Sequence, residues 1–306
     1  MLKYILSRLS QTMIVMVLVT LSVFIMLNVL PGDPALYMLE KQADDATIAR
    51  VRELWGLNRP LYVQYLSFVG KALHGDLGNS YFQRSPITSM INQSLRVTAV
   101  LSMLSLLMSL TIGLIIGSSA AVFRGSWLDR TLMLFSTIGI SAPLFWVAVL
   151  LQIVLGLHLR WLPISGQSGP GWMVMPVICL SLYYGASSSR LIRTNMIEAL
   201  TQDYVRTARS KGLGEFVIVF KHVLKNAGIS IITLTGMQLR SLLSGTMVLE
   251  IAFSLRGLGK LMYDAIVARD IPLIQGCVLY MAIVYVLINL TVDILYGALD
   301  PRVRLV

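Results

Sequence analysis

The sequence predicts an all-α membrane protein with six transmembrane helices. Three observations carry that prediction: an excess of apolar residues, their collection into long blocks, and a one-sided distribution of basic residues between the blocks. Of the 306 residues, 56% are hydrophobic and 13% are charged, against about 45–50% and about 25% in soluble domains. A soluble core cannot absorb that excess. The blocks lack amphipathic spacing, so the solvent they require is lipid.

An apolar helix needs about 20 residues to cross a bilayer. Six segments are long enough to matter, the fourth of them short: Thr12–Leu30, Val97–Phe123, Leu132–Leu157, Val174–Ser189, Ala227–Phe253 and Leu273–Leu299. The first follows Lys3 and Arg8, but it exceeds the apolar core of a secretory signal and has no small-x-small cleavage site, so it reads as an uncleaved helix. The fourth is the weakest, with Pro176 near its start and Gly185, Ser187, Ser188 and Ser189 at its end. Small residues let helices pack closely in a bundle, and without this span its two flanks fall on the same side. The chain is thus one transmembrane domain, 1–306.

Lys and Arg set the orientation. With the N-terminus inside, the inner segments hold Lys3, Arg8, Arg124, Arg130, Arg190, Arg193, Arg206, Arg209, Lys211, Lys221, Lys225, Arg302 and Arg304, thirteen in all, whereas the short outer loops hold four, Arg160, Arg256, Lys260 and Arg269. This bias predicts both termini in the cytoplasm. The net charge of +10 therefore needs no nucleic acid, whose binding calls for a basic stripe on a soluble fold. Cys179 and Cys277 fall within spans and read as small buried apolar residues, neither disulfide nor metal ligands.

Residues 31–96, of mixed polarity, are expected to stand outside the membrane. Asp44 or Asp45 caps a short helix with Ile48, Val51 and Trp55 at helical spacing and Gly56 after its end. Pro60 suits the first turn of a second helix carrying Leu61, Tyr65, Phe68, Val69 and Leu73, closed by Gly75. Tyr62, Tyr65, Phe68, Tyr81 and Phe82 read either as anchors at the membrane surface or as a docking surface for an external partner.

The inner stretch 190–226 is too long for a minimal turn, and it reads as two short helices broken around Gly212 and Gly214. Tyr204, Val205 and Ala208 form a small apolar ridge with Arg206, Arg209 and Lys211 around it. Two readings fit: an amphipathic helix lying on anionic lipid, or a docking element for a cytoplasmic partner.

Ionisable residues inside spans are functional hypotheses by default. Arg240 and Glu250 lie ten residues apart, about 15 Å along one helix and on different faces, so they cannot pair with each other. They are expected to face the translocation path or a subunit interface. Asn289 and Asp293, one turn apart, read as a structural hydrogen-bonded cluster within the membrane.

The run DYVRTARSKGL, Asp203 to Leu213, followed by HVLKNA, His222 to Ala227, resembles the cytoplasmic EAA loop of binding-protein-dependent ABC importers, in the form typical of dipeptide, oligopeptide, nickel and glutathione permeases. The resemblance covers nearly the whole chain. It includes LPGDP at Leu30–Pro34, GLNRPLYVQY at Gly56–Tyr65, GDLGNSY at Gly75–Tyr81, RWLPISG at Arg160–Gly166, RGLGKL at Arg256–Leu261, ARDIPLIQG at Ala268–Gly276 and NLTVDILYGALDPR at Asn289–Arg302.

What the resemblance implies is a type I importer permease fold in a bacterial inner membrane. The partners it implies are a second, homologous permease subunit in a heterodimer, two ATPase subunits and a periplasmic substrate-binding protein. Asp203, Tyr204, Val205, Arg206, Ala208, Arg209, Lys211, Gly212 and Leu213 match the element that couples such permeases to the ATPase, with Gly212 at its bend. ATPase closure on ATP would then drive alternating access. The resemblance implies no cofactor on this chain, with ATP and magnesium held by the partner subunits. The implied cargo is a dipeptide or oligopeptide, with nickel, a metal chelate or glutathione as alternatives.

The residues themselves agree that the motor lies elsewhere, since no GxxxxGK[ST] phosphate loop occurs. His74, His158 and His222 are isolated and lack metal-ligand spacing, and no catalytic constellation is found. A secondary transporter would need two repeat halves, and no repeat is evident. Two positions depart from the family pattern: Ser230 stands where a proline is usual, which is expected to straighten the entrance to the fifth helix, and Arg256-Gly257 replaces a Pro-Gly.

Overall fold

The computed structural model describes residues 2–29, 45–54 and 56–299. The LPGDP run, Asp44, Trp55, Arg302 and Arg304 lie outside them. In chain order the helices are α1 (Leu2–Val29), α2 (Asp45–Leu54), α3 (Leu61–Leu73), α4 (Ile87–Val122), α5 (Trp127–Ser141) and α6 (Leu144–Leu151), which continues into a π-helical turn, Gln152–His158. There follow α7 (Val174–Leu200), α8 (Asp203–Ser210), α9 (Glu215–Val217) with the π-helical Ile218–Val223, α10 (Leu224–Ala252), α11 (Leu258–Ala268) and α12 (Ile271–Leu299). Among the described residues there is no strand, only an isolated bridge between Asn79 and Pro86. The chain divides into two compact units, Met1–Val97 with Gly257–Leu287 and Thr98–Arg256 with Ile288–Val306.

In the first unit, α3 leans on α1. The Tyr65 hydroxyl and Thr20 Oγ1 share a hydrogen bond of 3.1 Å, and the Tyr65 ring meets Phe24 edge-on with centroids 5.3 Å apart. Pro60 stands at the N-cap of α3, one residue before the expected position, where its missing N–H costs nothing. A separate core joins Ile87, Met90 and Ile91 of α4 to Leu258 and Ala265 of α11 and Leu273, Ile274 and Cys277 of α12. Buried Asp270 stands just ahead of α12 and accepts hydrogen bonds from Ser80 Oγ at 2.5 Å, from the Tyr81 and Phe82 amides, and from the Leu273 amide in the first turn of α12. A carboxylate is the natural cap for those free amides. Through it, the GDLGNSY and ARDIPLIQG runs meet in space.

The second unit is built around α7, of whose 27 residues thirteen are buried. Its contacts are with α5, α6, α10 and the part of α4 in this unit. Close approach depends on small residues: a Cβ added at Gly117 of α4 would stand 2.7 Å from the Ser189 carbonyl oxygen and 2.9 Å from the Ile192 side chain. Polar groups are met across these seams. Ser136 and Ser189 share a hydrogen bond of 2.8 Å, the Tyr184 hydroxyl donates to the Ser241 carbonyl at 2.8 Å, and Gln238 Nε2 donates to the Tyr184 carbonyl and to Ser188 Oγ. Large apolar side chains, among them Leu107, Phe135, Trp146 and Met237, are exposed instead. Such a distribution, polar within and apolar without, suits a surface that faces lipid or a partner helix.

Three expectations change in detail. The third expected span, Leu132–Leu157, is not one helix, because α5 and the α6 segment meet at 100°. Pro143 donates no hydrogen bond and holds Ala142 extended, at φ −76° and ψ 126°. The helix that carries the fourth expected span does not stop at Ser189 but runs to Leu200, and Pro176 is harmless in its first turn. At the entrance to α10, Glu215–Asn226 and Ile231–Leu242 are inclined by 60°, so Ser230 in place of proline does not straighten the chain there. A π-helical register followed by Gly228 suffices to turn it. By length and apolarity, Ile87–Val122 and Ile271–Val292 are single-helix candidates for crossing a membrane among the described residues, and the two bent pairs raise the number to four.

The close seam gives a direct test. Gly117→Ala should lower the unfolding temperature of the purified protein, corresponding to about 1–3 kcal/mol of overpacking. Gly70→Ala, with nothing within 4 Å of the added carbon, should be neutral or stabilising by under about 1 kcal/mol, since alanine favours the helix. Equal melting of the two variants would refute the close approach of α4 and α7.

Candidate functional site

The inner stretch singled out by sequence forms a compact device at the end of α7. Helix α8 begins at Asp203, after Gln202 in extended conformation, and ends in a Schellman motif. The Leu213 amide donates to the Ala208 carbonyl at 3.3 Å and the Gly212 amide to the Arg209 carbonyl at 2.9 Å. That closure requires the left-handed region at the intervening residue, and Gly212 sits there with φ +76°. The chain then re-enters helix at Glu215, and Arg209 Nε and Nη2 reach across the bend to Glu215 Oε1 and Oε2 at 2.7 and 3.2 Å. The carboxyl lowers its pKa through this bond and the guanidinium raises its own. Both groups are largely exposed, so screening limits the pair to under about 1 kcal/mol.

The apolar ridge of α8 points inward. Val205 and Ala208 are buried against Ile192 and Met196 of α7, Ala121 of α4, and Ile218, Val219 and Val223 of the π-helical turn, with Tyr204 packed beside them. What remains outward is Asp203, Arg206, Arg209, Lys211, Gly212 and Leu213. Beside them stand Phe216 and Phe220, 73% and 51% exposed, their ring centroids 4.4 Å apart. Apart from Gly212 and its two chain neighbours, no heavy atom of the described residues lies within 4 Å of a Cβ built on Gly212. The bend is thus a bare, basic surface with an aromatic flank.

The device is fastened to the rest of its unit by an ion pair. Arg193, on α7 one residue from Ile192, donates from Nε and Nη2 to Asp129 Oδ1 and Oδ2 at 2.7 and 2.8 Å. Asp129 is buried in the first turn of α5; it also accepts the Gly125 amide at 2.9 Å, while its own amide donates to Ser126 Oγ, the N-cap. The Arg193 hydrogen bond is the chief cause holding the Asp129 carboxyl below its usual range, against the opposing effect of burial.

The ionisable residues expected within spans separate. Glu250 is fully buried and accepts a hydrogen bond of 2.6 Å from Thr98 Oγ1 of α4, so it finds a partner within its own unit. Arg240 is half-buried, and its Nε is enclosed without a hydrogen-bond partner, as is Asn289 Oδ1. The Asp293 side chain lies outside those described. Among the described residues no group of His, Cys, Asp and Glu is arranged to hold a metal ion.

A family profile described as "Binding-protein-dependent transport system inner membrane component" matches residues 113–305, which include the whole of α7, the bend and α10, and its N-terminal companion matches residues 1–103. The chain belongs to this family of transport components. Across its full length the permease resembles relatives named for particular cargoes. A Brucella abortus (strain 2308) protein named as a peptide transport system permease is 38% identical over 98% of each chain. The glutathione transport system permease protein GsiC of Salmonella choleraesuis (strain SC-B67) is 38% identical over 99% of each. Among solved structures, a chain of the MetNI methionine ABC transporter in an inward-facing conformation matches with a TM-score of 0.57 at 18% identity, over 69% of this chain and 96% of that one. At that identity the match speaks to fold alone.

Sequence reasoning located the bend of this permease through its glycines, but missed Asp129, Asp270 and the Phe216–Phe220 pair. The first two give no local signal, because their partners Arg193 and Ser80 lie 64 and 190 residues away. A readable trace of the third is the spacing of four between two phenylalanines on one helical segment.

Removing the ion pair should loosen the seat of the device. Asp129→Asn retains the shape but loses the charge-assisted fork, and should destabilise the protein at neutral pH by about 1–3 kcal/mol. A depressed carboxyl pKa means that the stabilisation exists above the unfolded value and is lost as pH falls through the folded one. The variant should therefore also show a flatter acid limb in a plot of melting temperature against pH. A melting temperature and acid limb matching the wild type would refute the fastening role of Asp129.

Proposed function

We propose that this permease is one membrane subunit of an ATP-driven importer for peptides, with ATP hydrolysed in two separate ATPase subunits, one of which docks on the α8 bend. A second, homologous permease completes the path, and a substrate-binding protein delivers the solute from the periplasm. Both termini and the bend lie on the cytoplasmic side of a bacterial inner membrane, with six spans between them. The names of the full-length relatives support a peptide cargo, since glutathione is itself a small peptide.

The observation that carries the docking role is the burial of the apolar ridge. A helix that rests on lipid must turn its apolar face outward, whereas Val205 and Ala208 are enclosed by the chain's own core. The outward face at the bend suits a protein groove with acidic and apolar walls: Arg206 and Lys211 for charge, Leu213, Phe216 and Phe220 for contact, and the open space above Gly212 for close approach. Because Ile192 and Met196 of α7 form the floor under α8, a partner that moves the bend pulls on α7 as well.

The substitution at the bend separates backbone strain from bulk. Valine at a position of φ +76° is strained by about 1–2 kcal/mol, although the chain itself leaves room for it. Asparagine tolerates that region. In the reconstituted complex, Gly212→Val should reduce ATP hydrolysis stimulated by loaded binding protein by about fivefold or more, and Gly212→Asn should retain most of it. Wild-type stimulation and uptake in Gly212→Val would count decisively against coupling at this bend.

A further inference from the structure

Two enclosed polar atoms without a hydrogen-bond partner, Arg240 Nε and Asn289 Oδ1, belong to facing helices of one compact unit. Gly236 of α10 touches α12, where a Cβ would stand 2.6 Å from Val292 Cγ1. Arg240 follows Gly236 by one turn, and Asn289 precedes Val292 by one turn. Residues three or four apart share a helix face, so Arg240 lies on the face of α10 that meets α12, and Asn289 on the face of α12 that meets α10. Gln238 and Ser241, on another face of α10, are engaged by α7. Arg240 also lies deep within Leu224–Ala252, roughly 24 Å from one end and 18 Å from the other at 1.5 Å per residue.

A guanidinium at that depth is costly to leave unmet. Its planar fork matches a carboxylate through two parallel hydrogen bonds. The amide oxygen of Asn289 supplies the complementary acceptor for an N–H. One common chemical group presents both in the right order: the free C-terminus of a peptide, a carboxylate next to the N–H of its last peptide bond. We propose that Arg240 and Asn289 form an intramembrane binding site for the C-terminal carboxylate and adjoining amide of the transported peptide. The same unpaired cation repels a bare metal ion, which sets peptides apart from nickel as cargo. The proposal rests on the peptide-import reading above, and it competes with a carboxylate supplied by the second permease or by Asp293.

The test uses the complete complex with its ATPases, second permease and binding protein in liposomes. Its probes are a tripeptide and the same tripeptide ending in an amide, with uptake expressed per loaded binding protein. The wild type should carry the free acid at least about tenfold faster than the amide, the scale of a lost charged hydrogen-bond partner. Arg240→Gln should abolish that preference by slowing the acid, Arg240→Lys should keep part of it, and Asn289→Leu should weaken it without altering charge. An unchanged acid-to-amide ratio in both Arg240→Gln and Asn289→Leu overturns the site. Loss of the second permease on purification of Arg240→Gln overturns it too, by assigning the carboxylate to that subunit. Equal slowing of both probes by Asp293→Asn, with no larger effect of Arg240→Gln, overturns it by assigning the carboxylate to Asp293. ATP-dependent uptake of neither probe by the wild type would reject the import reading itself, and the site with it.

Discussion

The second unit of this permease depends on enclosing a helix that is neither apolar nor amphipathic. Helix α7 brings serines, tyrosines and backbone carbonyls into a protein whose outer face is leucine, phenylalanine and tryptophan. In lipid those polar groups must be met from within. They are met only because glycine and serine on the neighbouring helices allow backbones close enough for Gln238, Ser136 and Ser241 to reach them. Packing and polar satisfaction are here one requirement, so a methyl group at Gly117 acts on both.

The same helix links the membrane level to the bend. Residues Ser188 and Ser189 sit in the polar seam, while Ile192 and Met196, within two turns, form the seat of α8. No flexible linker intervenes, since α7 is continuous from Val174 to Leu200. Force applied at Gly212 therefore enters the packed core of the unit through side-chain contacts, with the Asp129–Arg193 fork bracing α5 against α7. Among the described residues the buried acids are met by hydrogen bonds: Asp129 and Asp270 at the starts of helices and Glu250 from Thr98. Arg240 stands out against them as a cation with its Nε unmet.

Much of the helical architecture was legible in the sequence, because lipid imposes a coarse grammar of long apolar blocks. The bend was legible because a Schellman closure needs a residue that accepts positive φ, and glycine announces it. Its surroundings were not: whether Val205 and Ala208 face lipid or core depends on Ile192 and Ile218, which helical periodicity cannot assign. The third span misled for a related reason. An apolar run through Pro143 scores as continuous, although the imide ring turns the axis by 100°. Partners hidden by sequence distance, such as Thr98 for Glu250 at 152 residues, leave no pattern to read.

Attachment of the ATPase at the exposed flank of the α8 bend is the proposal on which the coupling role rests. It is tested most directly by placing a photoactivatable probe at Phe216→Cys in the assembled complex, since Cys179 and Cys277 are buried and should not compete for the label. A single major cross-linked product joining the permease to an ATPase subunit is expected, with a yield that changes when ATP is added. Cross-linking to lipid alone, or labelling of this position by a membrane-impermeant reagent from the periplasmic side, would contradict it.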